Sequence, residues 1–146
     1  MNSRKFEEFI KSGIVKIQAP NRQRSLALAK EAEEKKSFLG VSIKSIPHER
    51  MNANFIVDYC YDIIMELIRA KMFIDGYNAG NSHEAEVSYL EKFGFSEAEV
   101  RFMNEIRYYR NGTKYYGTML DSDYASEVLS FLEKIYPRLK NLLKKI

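Results

Sequence analysis

One stretch of the chain, RYYRNGTKYYG, runs from Arg107 to Gly117 and packs two arginines, an asparagine, a lysine and four tyrosines into eleven residues. Guanidinium groups match phosphate geometry with paired donors, and tyrosine rings stack on bases or set a hydroxyl beside a phosphate. Arg107 and Arg110 are three residues apart and Arg107 and Asn111 four, so on a helix both arginines and the amide share one face. Arg101 and Lys114 add positive charge against a single acid, Glu105. The pattern suits RNA, single-stranded DNA or a nucleotide. It also suits an ordinary helix end, where arginines meet the negative pole of the dipole and Tyr108 and Tyr109 bury their rings between helices. Spacing alone leaves both open.

The elements that must position this stretch read as helices. Three prolines and seven glycines punctuate 146 residues, and almost no segment alternates apolar with polar as strands do. Asn21 to about Gly40 is expected to form a helix whose wet side carries KEAEEKK. A loop from Gly40 to Pro47 then leads to the central core helix, where Ala53, Ile56, Val57, Cys60, Ile63, Ile64, Leu67 and Ile68 gather on one stripe. That helix should end near Gly76. Asn81 or Ser82 caps a short helix to about Gly94, and SEAE at Ser96 to Glu99 is a capping box opening the helix through Val100, Met103 and Ile106. A last helix, capped by Asp121 or Ser122, carries Val128, Leu132, Ile135 and Leu139, with Lys140, Lys144 and Lys145 at its negative end and Pro137 expected to kink or divide it. The fold expected is all-α: a single-domain, up-and-down bundle of about five helices spanning residues 1–146, with its core from about residue 21 onward.

Bulk properties narrow the classes further. A chain of this length supports one core. Its 23 basic and 20 acidic residues give a net charge of +3, so an anionic partner has to be met by a local patch. Cys60 is the single cysteine, which excludes a disulfide framework and fits a reducing cytoplasm. The start, MNSRKFEEFIKSG, lacks a continuous apolar run followed by a cleavage site. The most apolar segment, Phe55 to Ile74, is interrupted by Asp58, Asp62, Glu66, Arg69 and Lys71, which speaks against a membrane span. There is no phosphate-binding glycine loop, and no cofactor is implied.

RNGTKYYG, preceded by FMNEIRYYR, resembles the signature of the HEPN family, small helical-bundle proteins whose motif is an arginine, a polar residue such as asparagine, and a histidine four to six residues on. Arg110 matches the arginine and Asn111 the polar follower. The order of helices, with GNSHEAEVSYLEKFGF before the motif, extends the resemblance from about Asn21 onward. The histidine position is Tyr115. Family members that cleave RNA are metal-independent endoribonucleases, commonly with a composite site across a homodimer. The resemblance implies that Arg110 holds phosphate, that Asn111 fixes local geometry and that Tyr115 occupies the acid/base position. Tyrosine's reference pKa of ~10 against ~6.5 for histidine handicaps it as a proton shuttle at neutral pH. In the toxin branch, a tyrosine two places beyond the histidine is modified by a partner nucleotidyltransferase. Here that place is Gly117, with Tyr116 beside it.

The expectation is therefore a cytoplasmic nucleic-acid-associated or nucleotide-binding HEPN protein with a degenerate ribonuclease motif, within a toxin–antitoxin or defence system beside a nucleotidyltransferase. Arg107, Lys114, Tyr116 and His83 are expected to line the binding patch. Two alternatives stand beside it: an active metal-independent endoribonuclease using Tyr115 or His83, and a non-catalytic interaction scaffold. A histidine placed like His83 is more often a surface or capping residue, and His48 beside Pro47 reads as a turn residue. Asp58, Asp62 and Glu66, four apart on the central helix, suit either a metal or, with more weight, a salt-bridged face. Asp58 or Asp62 could instead orient Arg110.

Overall fold

A computed structural model describes residues 4–144. Six α-helices build it: α1 (Phe6–Lys11), α2 (Arg22–Ser45), α3 (Ala53–Asp75), α4 (His83–Ser88), α5 (Glu97–Tyr115) and α6 (Ser122–Leu142). Short 3-10 turns lie at His48–Arg50 and Tyr89–Phe93. Two two-residue strands, β1 (Lys16–Ile17) and β2 (Tyr77–Asn78), pair antiparallel. The result is an all-α helical bundle, and among the described residues no helix is long and apolar enough to cross a membrane.

The axis of the bundle is α3. Its apolar stripe is closed to solvent at Val57, Cys60, Ile63 and Ile64, and α2 and α6 pack along it while α4 and α5 close another side. Asn52 starts α3 by accepting from Phe55 N at 2.9 Å. Gly76 ends it with φ +88°, and a Cβ there would lie 2.6 Å from the backbone oxygen of Gln18. Only glycine meets both demands. Ser82 caps α4, Asp121 caps α6, and Ser96 with Glu99 forms the complete capping box on α5.

Three expectations need correction. The core begins well before residue 21, because Phe6, Phe9 and Val15 are buried in it. These residues sit in a charged segment too short to show helical periodicity, so only the tertiary contacts reveal them. No loop begins at Gly40, since α2 continues to Ser45. Leu39 and Ile43 keep the helix packed on the core across Gly40, which offsets the ~1 kcal/mol that glycine costs in a helix. The stop comes from Pro47, which holds Ile46 extended at φ −96°, ψ 130°. Finally, Pro137 does not divide α6: Ile135 and Leu139 on either side are buried, and their packing outweighs the missing backbone donor. Lys145, expected at the helix end, lies outside the described residues.

Candidate phosphate-binding cleft

The RYYRNGTKYYG stretch is not a break. Its residues through Tyr115 are the last turns of α5, so the shared face anticipated for Arg107, Arg110 and Asn111 is real. The chain beyond folds back to secure that end. Thr118 N donates to the Gly112 carbonyl at 3.2 Å. The Asn54 side chain donates to the Thr118 carbonyl at 3.0 Å and accepts from Leu120 N at 2.8 Å. A Cβ on Gly112 would come within 3.1 Å of Thr118 Oγ1, which is why a small residue stands there.

Arg107, Arg110, Asn111 and Tyr115 line an open cleft of about 400 Å³, whose opposite wall is Asn81, Ser82, His83 and Glu84 at the start of α4. Five of the seven residues named from the sequence thus converge, including His83, which lies 24 positions before the nearest of the others. Lys114 and Tyr116 do not line the cleft. Lys114 points along α5 toward Asp58, 3.9 Å away, and Tyr116, 85% exposed, forms the C-cap of α5. Tyr108 is also displayed to solvent, at 73% exposure, instead of burying its ring. Its helix face points away from α3, so the inter-helix role expected for it does not arise.

Arg110 is a held guanidinium. Its side chain is 13% exposed, its Nε donates to Asp58 Oδ1 at 2.8 Å, and Asp62 lies 3.9 Å from Nη2. Its Cζ sits 5.3 Å from the centre of the Tyr61 ring. The acids of α3 therefore act as orienting partners and not as a metal set. Among the described residues no group of three or more His, Cys, Asp or Glu is arranged to hold a metal ion. Burial, reinforced by the Asp58 charge, raises the Asp62 pKa, and Arg110 opposes that rise. Farther along α3, Glu66 pairs with Lys35.

Arg107 differs. It has no carboxylate partner among the described residues, and its Nε is buried without a hydrogen bond. An unpaired buried donor costs about 1–3 kcal/mol, and Arg107 is the cleft residue that bears such a cost.

His83 is half-buried, and its Nδ1 lies 3.0 Å from the hydroxyl of Tyr61. Tyr61 is itself closed to solvent, and burial drives its pKa upward, keeping the phenol protonated. Burial lowers the His83 pKa, and the charges of Arg69, Arg110 and Arg107 lower it further against the pull of Glu86. The imidazole is thus neutral at pH 7. When Nδ1 carries the hydrogen and donates to Tyr61, Nε2 presents a lone pair; when Tyr61 donates, Nε2 presents a hydrogen. Either state offers a positioned group to a ligand.

Tyr61 escaped the sequence reading because it sits within the apolar stripe. Its place three residues after Asp58 makes the two neighbours on α3, as Asp58 and Asp62 are at four, and that spacing was the available signal. No family model, curated protein or solved structure matches the chain.

Proposed function

We propose that the cleft between α4 and α5 binds the phosphate of RNA or of a nucleotide, and that the chain is a HEPN-like, nucleic-acid-associated protein with a degenerate ribonuclease motif. The observation that supports this reading is the convergence on one cleft of Arg107, Arg110 and Asn111 from α5 with His83 from α4. Arg110 brings a guanidinium pre-oriented by Asp58, so little conformational entropy is lost when phosphate arrives. Arg107 brings a positive charge that no carboxylate of the described residues neutralises. Asn111 adds an amide able to donate to a phosphate oxygen, and Tyr115, exposed, lies at the rim. The resemblance extends the proposal to a homodimer working beside a nucleotidyltransferase.

Fluorescence anisotropy with a labelled RNA oligonucleotide tests the binding reading. Arg107→Gln should weaken wild-type affinity by roughly tenfold or more, the loss of one charge-assisted contact. Affinity should also fall steeply between 50 and 200 mM salt. Equal affinity in wild type and Arg107→Gln, with no salt dependence, would refute it.

One observation favours a second, catalytic reading. The motif lacks its histidine, yet the cleft contains one: His83 is neutral and steadied by Tyr61, and Nε2 has no hydrogen bond among the described residues. In the tautomer whose Nδ1–H donates to Tyr61, the Nε2 lone pair is the group a general base for a ribose 2′-hydroxyl requires. Under this reading RNA is cleaved in excess chelator by wild type and by Tyr115→Phe, and is left intact by His83→Gln. Intact RNA with all three leaves binding as the function.

A further inference from the structure

A second hollow, of about 240 Å³, adjoins the cleft. Asn81 and His83 belong to the walls of both, so the two hollows lie side by side at the start of α4. Arg24 and Arg69 supply the positive charge of the second, while Tyr77, Asn78 and the backbone around Gly80 supply aromatic and amide surface. The two arginines differ in what they can offer. Arg69 is committed to Glu86, with Nε to Oε2 at 2.6 Å and Nη2 to Oε1 at 3.0 Å. Arg24 has no carboxylate partner among the described residues; its guanidinium rests on the Phe73 ring, 4.3 Å from the centroid. Stacking of this kind fixes the plane of a guanidinium without neutralising it.

Each hollow therefore holds one arginine with no carboxylate partner among the described residues, Arg107 in the first and Arg24 in the second, with the polar residues Asn81 and His83 in the wall they share. A mononucleotide carries its charge in one place and engages one hollow. A single strand carries a phosphate at every nucleotide, with a base between, and matches the alternation of cation, amide and cation. Resting on the phosphate-binding reading above, we infer that the ligand is a single-stranded RNA segment of at least two nucleotides, with Arg24 holding a phosphate adjacent to the one at Arg107 and Arg110. Arg24 lies 83 positions before Arg107 in the sequence, so the inference depends on the adjoining hollows and not on any motif.

The test compares uridine 5′-monophosphate with a hexauridylate on wild type, Arg24→Gln and Arg107→Gln by calorimetry at fixed low salt. The expected result is that hexauridylate binds wild type at least tenfold more tightly than the monophosphate. Arg24→Gln should weaken hexauridylate about tenfold, lower its salt slope by about 0.7, and leave the monophosphate unchanged. Arg107→Gln should weaken both. Arg24 is exposed and makes no side-chain hydrogen bond, so the variant keeps the fold. If hexauridylate binds no better than the monophosphate, or Arg24→Gln has no effect while Arg107→Gln does, the strand inference falls and the phosphate site stands. If neither ligand binds wild type, both fall.

Discussion

Arg110 can serve as a positioned phosphate ligand only if Asp58 holds it, and a double-mutant cycle measures that hold. Paired guanidinium and carboxylate charges lie about 4 Å apart, which gives an attraction of ~4 kcal/mol at an effective dielectric constant of ~20. Against it stands the desolvation of an arginine side chain that is 13% exposed. A charge-assisted hydrogen bond nets about 1.5–3 kcal/mol, and the 32% exposure of Asp58 screens the pair toward the lower end. The expected coupling energy is therefore about 1–2 kcal/mol. Arg110→Ala alone should cost more, about 2–3 kcal/mol, because Asp58 and Asp62 are then left facing each other, with Lys114 3.9 Å from Asp58. Urea denaturation of wild type, Arg110→Ala, Asp58→Ala and the double variant supplies the cycle. A coupling below ~0.5 kcal/mol would mean that Asp58 does not fix the guanidinium, and the claim of a pre-oriented phosphate ligand would fail.

Further outcomes follow from other parts of the molecule. Gly76→Ala meets both a left-handed backbone and a contact of 2.6 Å with the Gln18 oxygen, so thermal or urea unfolding should show a loss of about 2–4 kcal/mol; a loss under 1 kcal/mol would contradict the close approach. Burial pushes the Cys60 thiol up to about 12, so a thiol-specific reagent at pH 8 should label the native chain very slowly and the urea-unfolded chain at once. Because the folded-state pKa of His83 is depressed, the unfolded chain protonates first as pH drops. Stability should be full above about 6.5 and fall as pH is lowered through that value toward the folded-state pKa. His83→Gln should flatten this part of the stability profile, and an unchanged slope would place the titration elsewhere.

Much of the bundle was legible because helix signals are local. The stripe on α3, the caps at Ser82, Ser96 and Asp121, and the stop at Gly76 are read from residues within a few positions of one another. What escaped was decided by packing at a distance. The burial of Phe6 and Phe9, the passage of α2 through Gly40 and the continuity of α6 through Pro137 all depend on partners remote in sequence. The site divides in the same way. Arg107, Arg110 and Asn111 share a face by their spacing, and His83 was named with them from the resemblance, whereas the support of Tyr61 and the adjoining Arg24 follow from how α2, α3 and α4 pack. Lys114 shares the helix face of Arg110, four residues before it, but lies 3.9 Å from Asp58 and outside the cleft wall, while Tyr116 falls at the C-cap, past the last helical turn.

The most direct test is to map where RNA touches the chain. A titration of the isotopically labelled protein with a short single-stranded RNA, followed by two-dimensional NMR, should shift the amides of Asn81 to Glu84 and Arg107 to Tyr115. The exposed apolar face formed by Phe38, Val41, Ile46 and Phe55 should be left unmoved. Shifts confined to that apolar face, or no shifts at all at millimolar RNA, would contradict a phosphate-binding cleft between α4 and α5.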